Sequence, residues 1–243
     1  MIELDKIYNE DCLEGMKRIP DGSVDMVLCD LPYGTTANKW DSVIPLEPLW
    51  EQYKRVCKEN AAIVLFAQQP FVSELAHSNI GMFKYEWIWI KNNSTGFLKA
   101  NQQPLKQHEN ILVFYRKPPT YNPQGVRYNP RMVRRGHLGD NYHHTTSNEY
   151  ESKYENYPTD ILCFDKDNDN YHPTQKPVGL LCYLIKTYTN ENETVLDNCM
   201  GSGSTAIACI LEHRHFIGFE TDKRYFDIAN ERIDLEQRQL KLF

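Results

Sequence analysis

TVLDNCMGSGST, residues 194–205, runs from an apolar stretch through a glycine-containing turn into the start of a helical pattern. Glycine at a strand-to-helix turn lets the backbone approach a ligand closely, and the first amides of the helix point at that ligand. The stretch predicts a strand ending at Asp197, a turn carrying Gly201 and Gly203, and a helix from about Thr205. A Gly-x-Gly pair is a weak signal alone. The third glycine of the dinucleotide fingerprint is replaced by Ala206, which that fingerprint tolerates. The next apolar run, HFIGFETD, ends in Glu220, about seventeen residues past the turn, where an acid accepts hydrogen bonds from ribose hydroxyls. An exposed carboxylate at a strand end is the plainer reading of Glu220. Taken together, the two signals imply a nucleoside-bearing cofactor.

Outward from this stretch, short runs rich in Val, Ile and aromatics recur: KIYNED, VDMVLCD, AAIVLFA, YEWIWI, NILVFYR, ETVLDNC and HFIGFE. These are candidate buried strands. Amphipathic stretches lie between several of them, among them EPLWEQYKRVCKEN, FVSELAHSNI and STAIACILEHR. Alternating strand and helix predicts an α/β fold on a mostly parallel, seven-stranded, Rossmann-like sheet. YEWIWI and NILVFYR have no helical pattern between them, so this pair can bring in an antiparallel strand.

Residues 116–171 break the alternation and read as an insertion, dividing the chain into a main domain of 1–115 and 172–243 and an inserted region. Apolar periodicity is almost absent there, and Tyr, Asn and Pro are abundant. Its first part carries Arg116, Lys117, Arg127, Arg131, Arg134 and Arg135 without an acid, whereas residues 138–170 are acidic. A basic stretch interleaved with aromatics suits phosphate contact and base stacking, and a solvated loop fits as well.

The net charge of −6 argues against a uniformly basic coat, but nucleic-acid binding needs only a local basic face. No apolar run reaches membrane-spanning length, and the acidic N-terminal stretch is unlike a signal peptide, so a cytoplasmic protein with no membrane partner is expected. Seven scattered cysteines without a CxxC pair suggest reduced thiols and no metal site.

Three motifs remain: DLPYG at 30–34, HPTQKP at 172–177, and DNCMGSGST at 197–205. In this order they resemble the amino-methylating DNA methyltransferases in which the catalytic motif precedes the recognition region and the cofactor motif comes last. The resemblance takes in nearly the whole chain, including IYNEDCLEGMKRIPDGSVDMVLCDLPYG, the block from WIWIK to NILVF, and GFETDKRYFDIANERI. It implies a circularly rearranged methyltransferase sheet, S-adenosylmethionine as cofactor and double-stranded DNA as partner, with residues 116–171 as the target-recognition region.

The family's catalytic tetrapeptide is an acid, its amide or serine, followed by Pro, Pro and Tyr; here it reads Asp30, Leu31, Pro32 and Tyr33. The departure at Leu31 matters little if the backbone carbonyl acts there. An exocyclic base amine is a poor nucleophile because its lone pair is delocalised into the ring. Asp30 and the Leu31 carbonyl can accept its two N–H groups while Tyr33 stacks on the base. Such a base must be flipped out of the duplex. The resemblance further implies cofactor contacts from Asp11, Thr174, Lys176, Asp197, Gly201, Gly203, Thr205 and Glu220. Asp11 fits a helix N-cap too. Arg127, Arg131, Arg134 and Arg135 are the candidate phosphate or guanine contacts. His172 reads as structural; Lys39 and Trp40 read as closing over the flipped nucleotide or, for Trp40, as packing.

Asp30 favours the N6 amine of adenine over the N4 amine of cytosine, since the cytosine enzymes more often carry serine there. Methylation of RNA or of a protein amide, a non-catalytic DNA-binding module, and a nicotinamide dehydrogenase are the competing readings. The chain is short for an enzyme with a separate recognition domain, which makes a homodimer plausible. A restriction endonuclease partner stays open.

Overall fold

The computed structural model describes residues 2–34, 42–134, 149–167, 171 and 175–240. Lys39, Trp40, Arg135, His172 and Thr174 lie outside the described residues. The chain divides into two compact units, Pro123–Thr159 and the remainder.

The larger unit is built on an eight-stranded sheet. Its first half comprises β1 (Lys6–Tyr8), α1 (Cys12–Met16), β2 (Val24–Asp30), α2 (Leu46–Val56), β3 (Cys57–Ala67), α3 (Phe71–Ser78), β4 (Phe83–Thr95), a 3-10 turn (Phe97–Lys99) and β5 (Lys106–Phe114). The smaller unit contributes β6 (Arg127–Arg134) and β7 (Glu149–Glu155). The larger unit then resumes with β8 (Ile161–Cys163), α4 (Val178–Tyr188), β9 (Thr194–Asp197), α5 (Ser204–Leu211), β10 (His215–Phe219) and α6 (Lys223–Leu240).

All the strands expected from apolar runs are present. The eighth, β8, is a three-residue edge strand parallel to β4, too short for a periodicity to mark it. The strand order is β1-β10-β9-β2-β3-β5-β4-β8. Every neighbouring pair is parallel except those of β5, which runs antiparallel to both β3 and β4. From β2 the chain winds one way to β3, and from β9 the other way to β10. The connections therefore reverse between β2 and β9, where open α/β sheets bind ligands.

Alternation along β2 explains why its run is apolar throughout. Met26 and Leu28 enter a core shared with α4, α5 and α6, while Val27 and Cys29 enter a second core with α1, α2 and α3. A strand covered on both faces needs no polar side. The amphipathic pattern of 47–60 overran its helix: α2 stops at Val56 because Cys57 onward already belongs to β3.

The smaller compact unit, Pro123–Thr159, lies within the stretch set apart by composition. Arg116 donates to the Cys57 carbonyl at 2.8 Å, the Asn122 amide donates to Thr187, and β8 pairs with β4, so residues 116–122 and 160–167 belong to the larger unit. In the smaller unit, β6 and β7 form an antiparallel ribbon that sets Arg127 opposite Glu155 and Arg134 opposite Glu149. Arg134 pairs with Glu149 at 2.6 Å and Arg131 with Glu155 at 3.5 Å. Strands β6 and β7 thus set arginines of the basic part against glutamates of the acidic part, as exposed pairs that are cheap to open.

Candidate active site

The loops after β2 and β9 open onto one cavity of about 530 Å³ in the larger unit. Asp30 to Tyr33 form one wall, and Asp197 to Ser202 with Ser204 and Thr205 form another. Asp11 after β1, Glu220 after β10 and Lys176 before α4 complete it.

The β9–α5 turn assigns its glycines different tasks. Gly201 has φ +54°, and a Cβ there would meet nothing within 4 Å, so the backbone lies open to an occupant of the cavity. Gly203 has φ +86°, and its Cβ would lie 2.9 Å from the Ala229 Cβ, so its absence allows α6 to pack against the turn. Asp197 is buried, accepts from the Cys199 amide at 3.0 Å and from the Thr205 hydroxyl, and is pushed up by burial to about 6. This pair shapes the turn. Glu220 accepts from the Gly201 amide at 2.8 Å and the Asp222 amide at 2.7 Å. The Thr221 amide also bonds to it, and a carboxylate has about four acceptor sites, so capacity remains for a ligand. Asp11 does cap α1, accepting from the amides of Leu13 and Glu14, and it also faces the cavity.

Around Asp30 the structure assembles a buried ionic group. One carboxylate oxygen takes the Lys176 ammonium and the other accepts from the Tyr33 hydroxyl, whose ring packs on Phe71 at 5.6 Å. Lys176 also lies 3.4 Å from Glu109 Oε2 and 5.1 Å from the Phe66 ring centroid. Glu109 Oε1 accepts from Lys91 at 2.5 Å and from Gln68 at 3.0 Å. Burial pushes Asp30 up, opposed by the ammonium of Lys176. Burial would also raise Glu109, but Lys176 and Lys91 outweigh it and hold Glu109 at about 2. Lys176 loses charge stabilisation by burial and regains more from Asp30 and Glu109, so it remains an ammonium.

Lys176, expected to face a cofactor carboxylate, is thus paired with Asp30 of the DLPYG stretch. Glu109, Lys91 and Gln68 were missed altogether. A signal for the first two exists: Trp87, Trp89 and Lys91 alternate along β4, and Glu109, Ile111 and Val113 along β5, so the charged residues continue a face whose aromatic and aliphatic members are core.

Five carboxylates (Asp11, Asp30, Glu109, Asp197 and Glu220) line the cavity against three ammonium groups, Lys91, Lys166 and Lys176. That excess of negative charge suits a cationic sulfonium, and the open Gly201 backbone beside Glu220 suits its nucleoside. Fold and cavity define an α/β transferase of the S-adenosylmethionine-dependent class. The chain belongs to the N6/N4 DNA methylase family, whose model matches residues 24–231. It is 27% identical over 246 residues to the type II methyltransferase M.HpaI of Haemophilus parainfluenzae, covering 95% of this chain and 74% of that one. It is 26% identical to the DNA adenine methyltransferase YhdJ of Escherichia coli, covering 96% and 84%. The crystal structure of the M1.HpyAVI–SAM complex superposes with a TM-score of 0.64 at 25% identity, covering 93% of this chain and 98% of that one.

Proposed function

We propose that this DNA methyltransferase acts on the N6 amine of adenine in a flipped-out nucleotide. The observation that carries the reading is the shared cavity: Asp30 at the end of β2 and an open glycine turn after β9 face the same space. S-adenosylmethionine, when bound, supplies an electrophilic methyl group. Gly201 and Glu220 with Asp11 hold its nucleoside, while Asp197, Gly203 and Thr205 keep the turn in shape. Asp30 accepts one amine N–H and the Leu31 carbonyl the other, drawing the nitrogen lone pair out of ring conjugation. Tyr33 supports the base face and orients the Asp30 carboxylate. Asp30 also stands where the amine's proton must leave after transfer. Lys176 balances the charge of Asp30 in a site too dry to leave it bare.

Flipping costs a few kcal/mol, which contacts elsewhere on the duplex must offset. The β6–β7 ribbon, with Arg127, Arg131 and Arg134, is the part of the chain assigned to target recognition, its ion pairs with Glu149 and Glu155 opening in favour of phosphate or guanine. The same grip on an exocyclic amine fits cytosine N4, and the family covers both bases. Mass spectrometry of nucleosides from DNA treated with the enzyme and cofactor decides: 6-methyladenine is expected, and 4-methylcytosine as the sole product would overturn the adenine assignment.

A further inference from the structure

The β4–β5 ribbon overshoots the sheet. Asp30 pairs with Phe66, Phe66 with Ile111 and Ile111 with Trp87, which puts these residues at one level across four strands. Pairing of β4 with β5 then continues to Thr95 opposite Lys106, roughly 16 Å beyond that level at the usual rise per residue. Thr95 and Lys91 line the catalytic cavity, so the ribbon rises from its rim.

The tip is unusual for a water-facing loop. Residues 95–108 are exposed throughout, and at their outer end Phe97 is 69% and Leu98 103% exposed. The two residues are held in a short 3-10 turn closed by backbone bonds from Lys99 to Gly96 and from Ala100 to Phe97, so they are displayed by a formed structure. From Trp87 to His108 the chain carries Lys91, Lys99 and Lys106 and no acid, within a protein of net charge −6. A second copy of the same basic tip would repel it. A polyanion with an apolar interior would not, and the stacked bases of a duplex beneath their phosphates are such a partner.

We infer that the 96–105 tip is a DNA wedge: Phe97 and Leu98 enter the base stack beside the target and fill the gap that opens when the nucleotide turns into the cavity, while Lys99 and Lys106 lie on the flanking phosphates. This rests on the proposed methylation of a flipped base. A wedge has work to do only where the target is paired and stacked, and that separates it from general DNA affinity.

The test is a Phe97→Ala/Leu98→Ala double variant assayed on two duplexes sharing the methylated context, one fully paired and one with the target base mismatched. Methylation of the paired duplex is expected to fall by roughly tenfold or more, and that of the mismatched duplex to stay within about twofold to threefold of the unaltered enzyme. Phe97→Trp alone should retain most activity on paired DNA, because stacking area is what the position supplies. Cofactor titration confirms an intact fold. Equal losses on both duplexes, or no loss on either, overturn the wedge, as does a variant whose only change is a different oligomeric state in sedimentation. If the unaltered enzyme methylates neither duplex, the methyltransferase reading fails instead of the wedge.

Discussion

In the proposed reaction Asp30 takes up the proton that the amine sheds, which requires it ionised beforehand, and its charge depends on neighbours that pull in opposite directions. Lys176 on the α4 side favours the carboxylate. Glu109 on β5 and Asp197 on β9 disfavour it, Lys91 on β4 holds Glu109 in its charged form, and Tyr33 donates to Asp30 from its own loop. Because burial raises Asp30, turnover is lost as pH falls through a value above the ordinary carboxylate range. Two substitutions should shift this acid limb in opposite directions. Lys176→Met removes the compensating charge and moves it up, whereas Glu109→Gln removes a like charge and moves it down. Profiles of kcat against pH measure both; shifts of the same sign would mean the group acts only as packing. Asp30→Ala should lower kcat by about 100-fold or more, with cofactor affinity retained in an equilibrium titration.

Among the elements, the β9–α5 turn makes the sharpest prediction, because its glycines face different neighbours. Gly203→Ala drives a Cβ against Ala229 in α6 at a left-handed φ of +86°, and should cost about 2 kcal/mol of stability, read as a lower Tm. Gly201→Ala meets open space, so its stability penalty is only the left-handed backbone, about 1 kcal/mol. Its main effect should be weaker cofactor binding in titration calorimetry, since the new methyl occupies the cavity wall. The sequence pattern marked both residues alike, and only the approach of α6 separates them.

At the scale of the whole molecule, the two units divide the work proposed for them. Replacing Pro123–Thr159 with a short Gly/Ser linker should leave cofactor binding in place, because the described residues that line the cavity all belong to the larger unit. DNA affinity, followed by fluorescence anisotropy, should fall at least tenfold, with a shallower salt dependence. Unchanged affinity would remove the ribbon from target recognition. Among the described residues no helix is long and apolar enough to cross a membrane.

Strand alternation and strand-end acids are local facts, so the sequence alone determined the α/β class, the run of VDMVLCD as a strand buried on two faces, and the placing of Asp30 and Glu220 where strands meet solvent. Even the charge division of the insertion was visible, although which of its loop residues bond to a distant sheet was not, because composition does not reveal such contacts. Only the folded chain could decide that Lys176 pairs with Asp30, that Glu109 and Lys91 lie beside that pair, and that Arg131 and Arg134 pair with Glu155 and Glu149. Ion pairs across 146 residues, as between Lys176 and Asp30, depend on strand order and register. Those are set by the packing of two cores on one sheet, and no periodicity within a single segment encodes them.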